Sequence, residues 1–162
     1  MLVASILVFL ISSKFIALRF FSYIVITQVL DILLKQLSGK AFPGRAGIYR
    51  PPGAGNCMGC GIFPDCDGCV NVDDQIGMPS GHSMAMAMAA TFWSWWIFNA
   101  SGTLLFKSVR SSLLILFALA VIISRTPVVE NCHTYLQVIV GSLLGVALGT
   151  GFYFLEIQLF NE

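Results

Sequence analysis

The chain has 162 residues, of which 57% are hydrophobic and 10% charged, with a mean hydropathy of +0.84. That is one domain's worth of chain, and it is too apolar for an ordinary soluble globular protein. A formal net charge of +1, with no basic stripe interleaved with aromatics, argues against a nucleic-acid partner.

Apolar runs occur at residues 1–12, 15–34, 83–98, 109–123 and 134–155. A membrane span needs about 20 mostly apolar residues, or roughly 17 at the short end. The last four runs therefore predict transmembrane helices. The first is too short alone and reads as a doubtful fifth span, the stub of a longer helix, or a signal-like segment without a clean cleavage site. Lys14 and Arg19, near the start of the second run, are expected to snorkel outward. The expected fold is all-α: a polytopic transmembrane bundle of four to five spans, forming one membrane domain over 1–162.

Residues 36–79 break this pattern. They are rich in Gly, Pro, Asp and Cys, lack a helical apolar period, and predict a long extramembrane loop. Structureless stretches of this length inside a compact domain are usually functional. Within it Cys57, Cys60, Cys66 and Cys69 form two CxxC units. Paired CxxC units hold zinc in many proteins, although usually at wider separation, and four thiols in an oxidising lumen form disulfides instead. Both readings make a structural staple, and both leave Cys132 unpaired.

After the loop, "GMPSGHS" opens a helix at Ser80. Met84, Met86 and Met88 read as bundle filler, and Trp93, Trp95 and Trp96 as interfacial anchors. Short connections follow near residues 99–108 and 126–133, with Pro127 as a helix stop. If the run at 83–98 crosses away from the loop and 109–123 crosses back, residues 36–79 and 124–133 share one face. The chain's two histidines, His82 and His133, then lie on the same side. In the last run Gly141, Gly145 and Gly149 make a small-residue ridge for close helix packing.

On that shared face the residue types converge on one chemistry. Ser80, Gly81 and His82 open a helix, where free N–H groups and the positive end of the macrodipole favour an anion. Arg50 and Arg125 supply planar guanidinium forks, and Lys35, Lys40 and Arg45 add charge, so phosphate is the indicated guest. A neutral imidazole is a competent nucleophile toward phosphorus, and a second, protonated one can serve the departing alkoxide. No Asp/Glu cluster of metal-ligand type accompanies them. The expected reaction is a metal-free, cofactor-free phosphoryl transfer through a phosphohistidine.

These residues resemble the type 2 phosphatidic acid phosphatase and vanadium haloperoxidase superfamily. Its signatures are a Lys followed by Arg-Pro, a Pro-Ser-Gly-His, and a Ser-Arg followed by His. They appear here in order as Lys35 or Lys40 with Arg50-Pro51, as Pro79-Ser80-Gly81-His82, and as Ser124-Arg125 with His133, over roughly residues 30–145. The resemblance implies His133 as nucleophile and His82 as general acid. It implies Lys35, whose "LDILLK" resembles the family's helix-ending lysine, with Arg50, Ser80, Gly81 and Arg125 as phosphate-binding groups.

Three departures stand out. Fourteen residues separate Lys35 from Arg50 and nine separate Lys40 from it, both more than the family's interval; Arg45 is a third candidate for the cation. Seven residues separate Arg125 from His133, again more than usual. The Asp that ordinarily follows the nucleophile by one helical turn is Gln137, whose amide oxygen can still orient the ring. A similar His-Thr-x-x-Gln string in the dolichyl-diphosphatase branch points toward polyprenyl diphosphates.

The expected function is therefore an integral membrane phosphatase acting on a lipid phosphate or polyprenyl diphosphate. The alternative is a non-catalytic lipid-binding or scaffold protein that retains the frame. Lys14, Arg19, Lys107 and Arg110 on the opposite face lean, by the positive-inside rule, toward a non-cytosolic active site.

Overall fold

The computed structural model describes residues 15–45, 47–51, 54, 76–128 and 132–160. Among them are four helices: α1 (Phe15–Ala41), α2 (Gly81–Asn99), α3 (Leu104–Ser124) and α4 (Tyr135–Phe160). Among the described residues β-pairing is limited to one isolated antiparallel bridge, Tyr49 to Ile76. The fold is all-α, as the apolar runs predict. Residues 1–12 and most of the predicted Cys-rich loop lie outside the described residues. The near edge of that loop needs correction, because α1 continues through residues 36–41.

Three helices are long and apolar enough to cross a membrane by length and composition: Ile16–Ala41, Leu104–Ser124 and Tyr135–Leu159. The predicted helix after Ser80 forms but is not among them. Its position explains why. α2 is the central element, packed against α1, α3 and α4, and Met84, Met88 and Phe92 along it are fully buried. A helix that faces protein on most sides needs small, closely fitting residues more than lipid-like ones.

The α2–α4 contact sets the bundle. The ridge of Gly141, Gly145 and Gly149 lies directly on the backbone of α2. A Cβ at these positions would fall 2.5 Å from Ser80 O, 2.3 Å from Met84 O and 2.4 Å from Met88 O. Only hydrogen fits at such separations, so the two backbones meet with no side chain between them. α3 packs on the other flank of α2 through Ala118 and Ile122, and the Ser111 hydroxyl donates to Ser94 Oγ at 2.8 Å. Most of α3 is exposed apolar surface, including Leu105, Leu113 and Phe117.

α1 is held differently. Phe20 and Tyr23 meet Phe92, and Tyr23 stacks on Phe152 at 4.5 Å between centroids. Beside this aromatic cluster Arg19 Nε donates to Glu156 Oε1, and Tyr23 Oη donates to Glu156 Oε2 at 2.5 Å. Glu156 is fully buried. Arg19 thus turns inward to satisfy a buried carboxylate instead of snorkelling outward. Trp93 and Trp96 also pack inward against the cluster, and Trp95 stacks on Tyr153, so only Trp95 keeps much of the exposure expected of an interfacial anchor.

The ridge makes a paired prediction. Gly145→Ala pushes a methyl into the Met84 carbonyl and should cost about 1–3 kcal/mol of stability. Gly151, on the same helix, has nothing within 4 Å of a built Cβ. There the same substitution should be neutral or stabilising by up to about 1 kcal/mol, because alanine is the better helix former. Unfolding of the two variants in detergent, compared with the parent, reads the opposite signs.

Candidate active site

The site is built where the N-terminal ends of α2 and α4 lie side by side. Ser80 caps α2: its Oγ accepts from Ser83 N–H at 3.4 Å and from the Ser83 hydroxyl at 2.9 Å. Met84 N–H already bonds Ser80 O at 2.9 Å. The N–H groups of Gly81 and His82 belong to the first turn of α2, where donors have no partner within the helix and the dipole favours an anion. Ser80 N–H donates to Gln137 O at 3.0 Å, which fixes the second motif against the first turn of α4.

The Arg50 segment is drawn to the same place. Gly77 N–H and Met78 N–H both donate to Ile48 O, at 2.8 and 3.1 Å, beside the Tyr49–Ile76 bridge. The residues preceding Arg50 therefore pair with the residues preceding Pro79. The Met78–Pro79 peptide is cis. The longer interval in the third motif is absorbed by a closed turn, in which His133 N–H donates to Arg125 O at 3.1 Å. Arg125 and His133 are both buried, at 5% and 3% exposure.

Gln137 joins these parts. Thr134 and Gln137 form a reciprocal cap: Gln137 N–H donates to Thr134 Oγ1 at 3.4 Å, and Thr134 N–H donates to Gln137 Oε1 at 3.2 Å. The same Oε1 lies 3.0 Å from His133 Nδ1. On the other side of the amide, Nε2 donates to Gly47 O at 2.9 Å and Tyr49 O at 2.7 Å. Two carbonyl acceptors fix which end of the amide is nitrogen. Oε1 must then face His133, so Nδ1 carries the ring proton and Nε2 keeps its lone pair. Gln137 is fully buried, and a Cβ at Gly77 would strike its Oε1 at 2.6 Å.

The charges converge as well. His133 is pushed down to about 4, first by burial and then by Arg50, Lys35 and His82, with the Gln137 hydrogen bond acting upward. His82 also falls to about 4, through desolvation by the surrounding walls and then the fields of Arg125, Lys35 and Arg50, although its residue surface stays exposed at the mouth. Both imidazoles are therefore neutral at pH 7. Burial lowers the Arg50 guanidinium too, and Asp31 opposes that shift. Arg50 Nε is buried without a hydrogen-bond partner among the described residues. Such an orphaned donor fits an anion that is not part of the chain.

Of the three candidate first-motif cations, Lys35 is the one whose field reaches both rings. Lys40 and Arg45 are exposed, and Arg45 lies over the Phe42 ring at 5.4 Å. Lys35 bonds Asp31 Oδ2 at 2.6 Å, and Asp31 presses on Gly81. Sequence reasoning passed over Asp31, although its position one turn before Lys35 in "LDILLK" is the ordinary spacing of a helical ion pair. Cys57, Cys60, Cys66 and Cys69 lie outside the described residues. Cys132, expected to be unpaired, is disulfide-bonded. It is 2% exposed and adjoins His133, so a covalent bond secures the turn that carries the imidazole.

Gln137→Glu tests the two-ended amide. A carboxylate still accepts from His133 but faces the Gly47 and Tyr49 oxygens with no proton to give. Losing two buried hydrogen bonds and adding repulsion should cost about 2–5 kcal/mol. The variant should unfold earlier in detergent than Gln137→Met, which removes the bonds without bringing a charge; equal stability of the two would contradict the assignment of the amide ends.

A family model described as the PAP2 superfamily matches residues 16–158, from α1 into the last turns of α4. Comparisons with curated proteins and with solved structures find no match. The family match spans all four helices and every residue placed at the site, and on that extent the chain belongs to the PAP2 superfamily.

Proposed function

We infer that the protein is an integral membrane phosphatase that hydrolyses a lipid phosphate or polyprenyl diphosphate through a phosphohistidine. Membership in the PAP2 superfamily supports a phosphatase-type activity. The observation that carries the finer reading is the meeting of two neutral imidazoles with Lys35, Arg50 and Arg125 at two adjoining helix N-termini. In this reading the bound dianion offsets the cations around His82 so that its ring takes up a proton; His133 Nε2 then attacks phosphorus while the bond to the leaving oxygen breaks, and His82 gives that proton to the oxygen. A water then attacks the phosphohistidine, giving its proton to His82, and the P–N bond breaks to release inorganic phosphate. Lys35, Arg50, Arg125, the Ser80 hydroxyl and the Gly81 N–H hold the phosphoryl oxygens and stabilise the trigonal-bipyramidal transition state. Gln137 orients the nucleophile.

The lipid assignment is supported by an apolar groove of about 380 Å³ between α2, α3 and α4. It runs from Ala87 and Ile122, a short way below His82 and Arg125, toward Trp95 and Phe98 near the other end of α2. A phosphate-headed chain anchored at the site would lay its tail there. Three helices of membrane-spanning length and apolarity support placement in a bilayer. The membrane-enzyme branch, with a third motif like that of dolichyl diphosphatases, follows from Gln137 in place of Asp. A disulfide at Cys132 supports an oxidising, non-cytosolic active face.

Release of inorganic phosphate from a panel of lipid phosphates by the purified protein in detergent tests the activity, which should persist in EDTA and be inhibited by orthovanadate. His133→Ala should lose at least about 10³-fold, the scale of removing a covalent nucleophile. His82→Ala should lose about 10²–10⁴-fold on a lipid phosphate and much less on an aryl phosphate, whose leaving group needs no proton. Full activity in His133→Ala would refute the nucleophile.

The imidazoles also set a titration. Burial and then cationic neighbours hold His82 near 4, so a bound dianion should cancel part of the cations' field and raise the value. Ring resonances followed by NMR against pH, with and without orthovanadate, should show that upward move. An unchanged midpoint would count against a shared anion pocket.

A further inference from the structure

We propose that Asp31 is a positioning residue that aims Lys35 into the phosphate pocket and braces the mouth of α2. The proposal rests on the phosphatase reading above. Asp31 lies deep in the bundle at 5% exposure, and its Oδ2 takes the Lys35 ammonium at 2.6 Å. The Lys35 side chain is 25% exposed while that of Asp31 is 7% exposed. The pair therefore straddles the boundary between packed helices and open pocket. Without a buried acceptor, a lysine with a four-carbon stem at the end of an apolar helix extends toward the aqueous interface. With one, it is folded back along α1.

The direction of that fold is set by what else touches the carboxylate. A Cβ at Gly81 would fall 2.5 Å from Asp31 Oδ2 and 2.8 Å from its Cγ. The carboxylate thus occupies the space a side chain would need at the first residue of α2, next to His82. Glycine at 81 accordingly serves Asp31 as well as the substrate. Asp31 also acts on Arg50 through its charge. Its second oxygen, Oδ1, is buried and has no hydrogen-bond partner among the described residues. A surface pair at i and i+4 spends neither burial nor an unsatisfied oxygen. One buried carboxylate in contact with a pocket lysine, a pocket arginine's field and a pocket glycine is organised around the site.

Two opposed effects decide the test. Removing a negative charge beside an anion pocket should tighten anion binding, whereas releasing Lys35 should weaken it. The positioning role requires the second to win. Orthovanadate binding to the purified, detergent-solubilised full chain is measured by titration calorimetry for the parent, Asp31→Asn, Lys35→Met and the double variant, with unfolding curves confirming that each is folded. Loss of a charge-assisted hydrogen bond should weaken vanadate binding about tenfold in Asp31→Asn. That penalty should vanish in the Lys35→Met background, because there is no ammonium left to aim; a purely structural aspartate would carry its penalty into both backgrounds. Unchanged or tighter binding by Asp31→Asn, or an undiminished penalty without Lys35, overturns the positioning role and leaves the phosphatase reading standing. A parent protein that neither binds vanadate nor releases phosphate overturns both. If Asp31→Asn does not fold, Asp31→Glu takes its place. Its longer arm should be driven off Gly81 and weaken vanadate binding in the same Lys35-dependent way.

Discussion

Backbone-to-backbone contact between α2 and α4 is the constraint from which the site follows. Three glycines at one-turn spacing lie on the carbonyls of Ser80, Met84 and Met88. Two helices joined this closely have little freedom to slide, because each carbonyl sits in a notch one residue wide. The cap of α2 is therefore seated against the first turns of α4, where Ser80 N–H can reach Gln137 O. His82 and His133, fifty-one positions apart in sequence, owe their meeting to a ridge of residues that have no side chains at all.

Gln137 then converts proximity into alignment. One amide caps α4, sets the tautomer of the buried imidazole and grips two carbonyls of the segment leading to Arg50. An aspartate at this position could do the first two tasks but has no hydrogen to offer the third. Gln137 thus gives the His133 ring a neutral acceptor together with a mechanical link to the segment leading to Arg50. What the ring loses in electrostatic support it gains in a fixed neighbour.

Much of this was legible in the sequence. The helices followed from apolar runs, the common end of the two histidines from counting passages, and the glycine ridge from its period. The Gln137–His133 contact was legible because four residues is one helical turn. What was not legible depended on partners distant in the chain. Arg19 looked like an interfacial cation until Glu156, more than a hundred residues later, took it inward. The reach of α1 to Ala41 was hidden by its Gly and Lys, residues that composition assigns to loops. Lys35 was favoured over Lys40 and Arg45 only by the likeness of "LDILLK" to a helix-ending lysine, because their distance from the histidines depends on where α1 points. Asp31 went unnoticed for a related reason: a lone acid in an apolar run reveals its purpose only when Gly81 and Arg50 arrive beside it. Cys132 could not be paired from spacing, since no rule of sequence connects it to a particular thiol.

The ionic contacts of α1 have a mechanical corollary. Arg19 is fastened to Glu156 near the start of the helix and Asp31 is lodged against Gly81 farther along it, about 18 Å away at 1.5 Å per residue. Between them Phe20 and Tyr23 pack on Phe92. A rod held at two such points resists rotation about its own axis, so the side that carries Asp31 and Lys35 stays turned toward α2. The Glu156 contact is in this sense a second hold on the helix that carries Lys35.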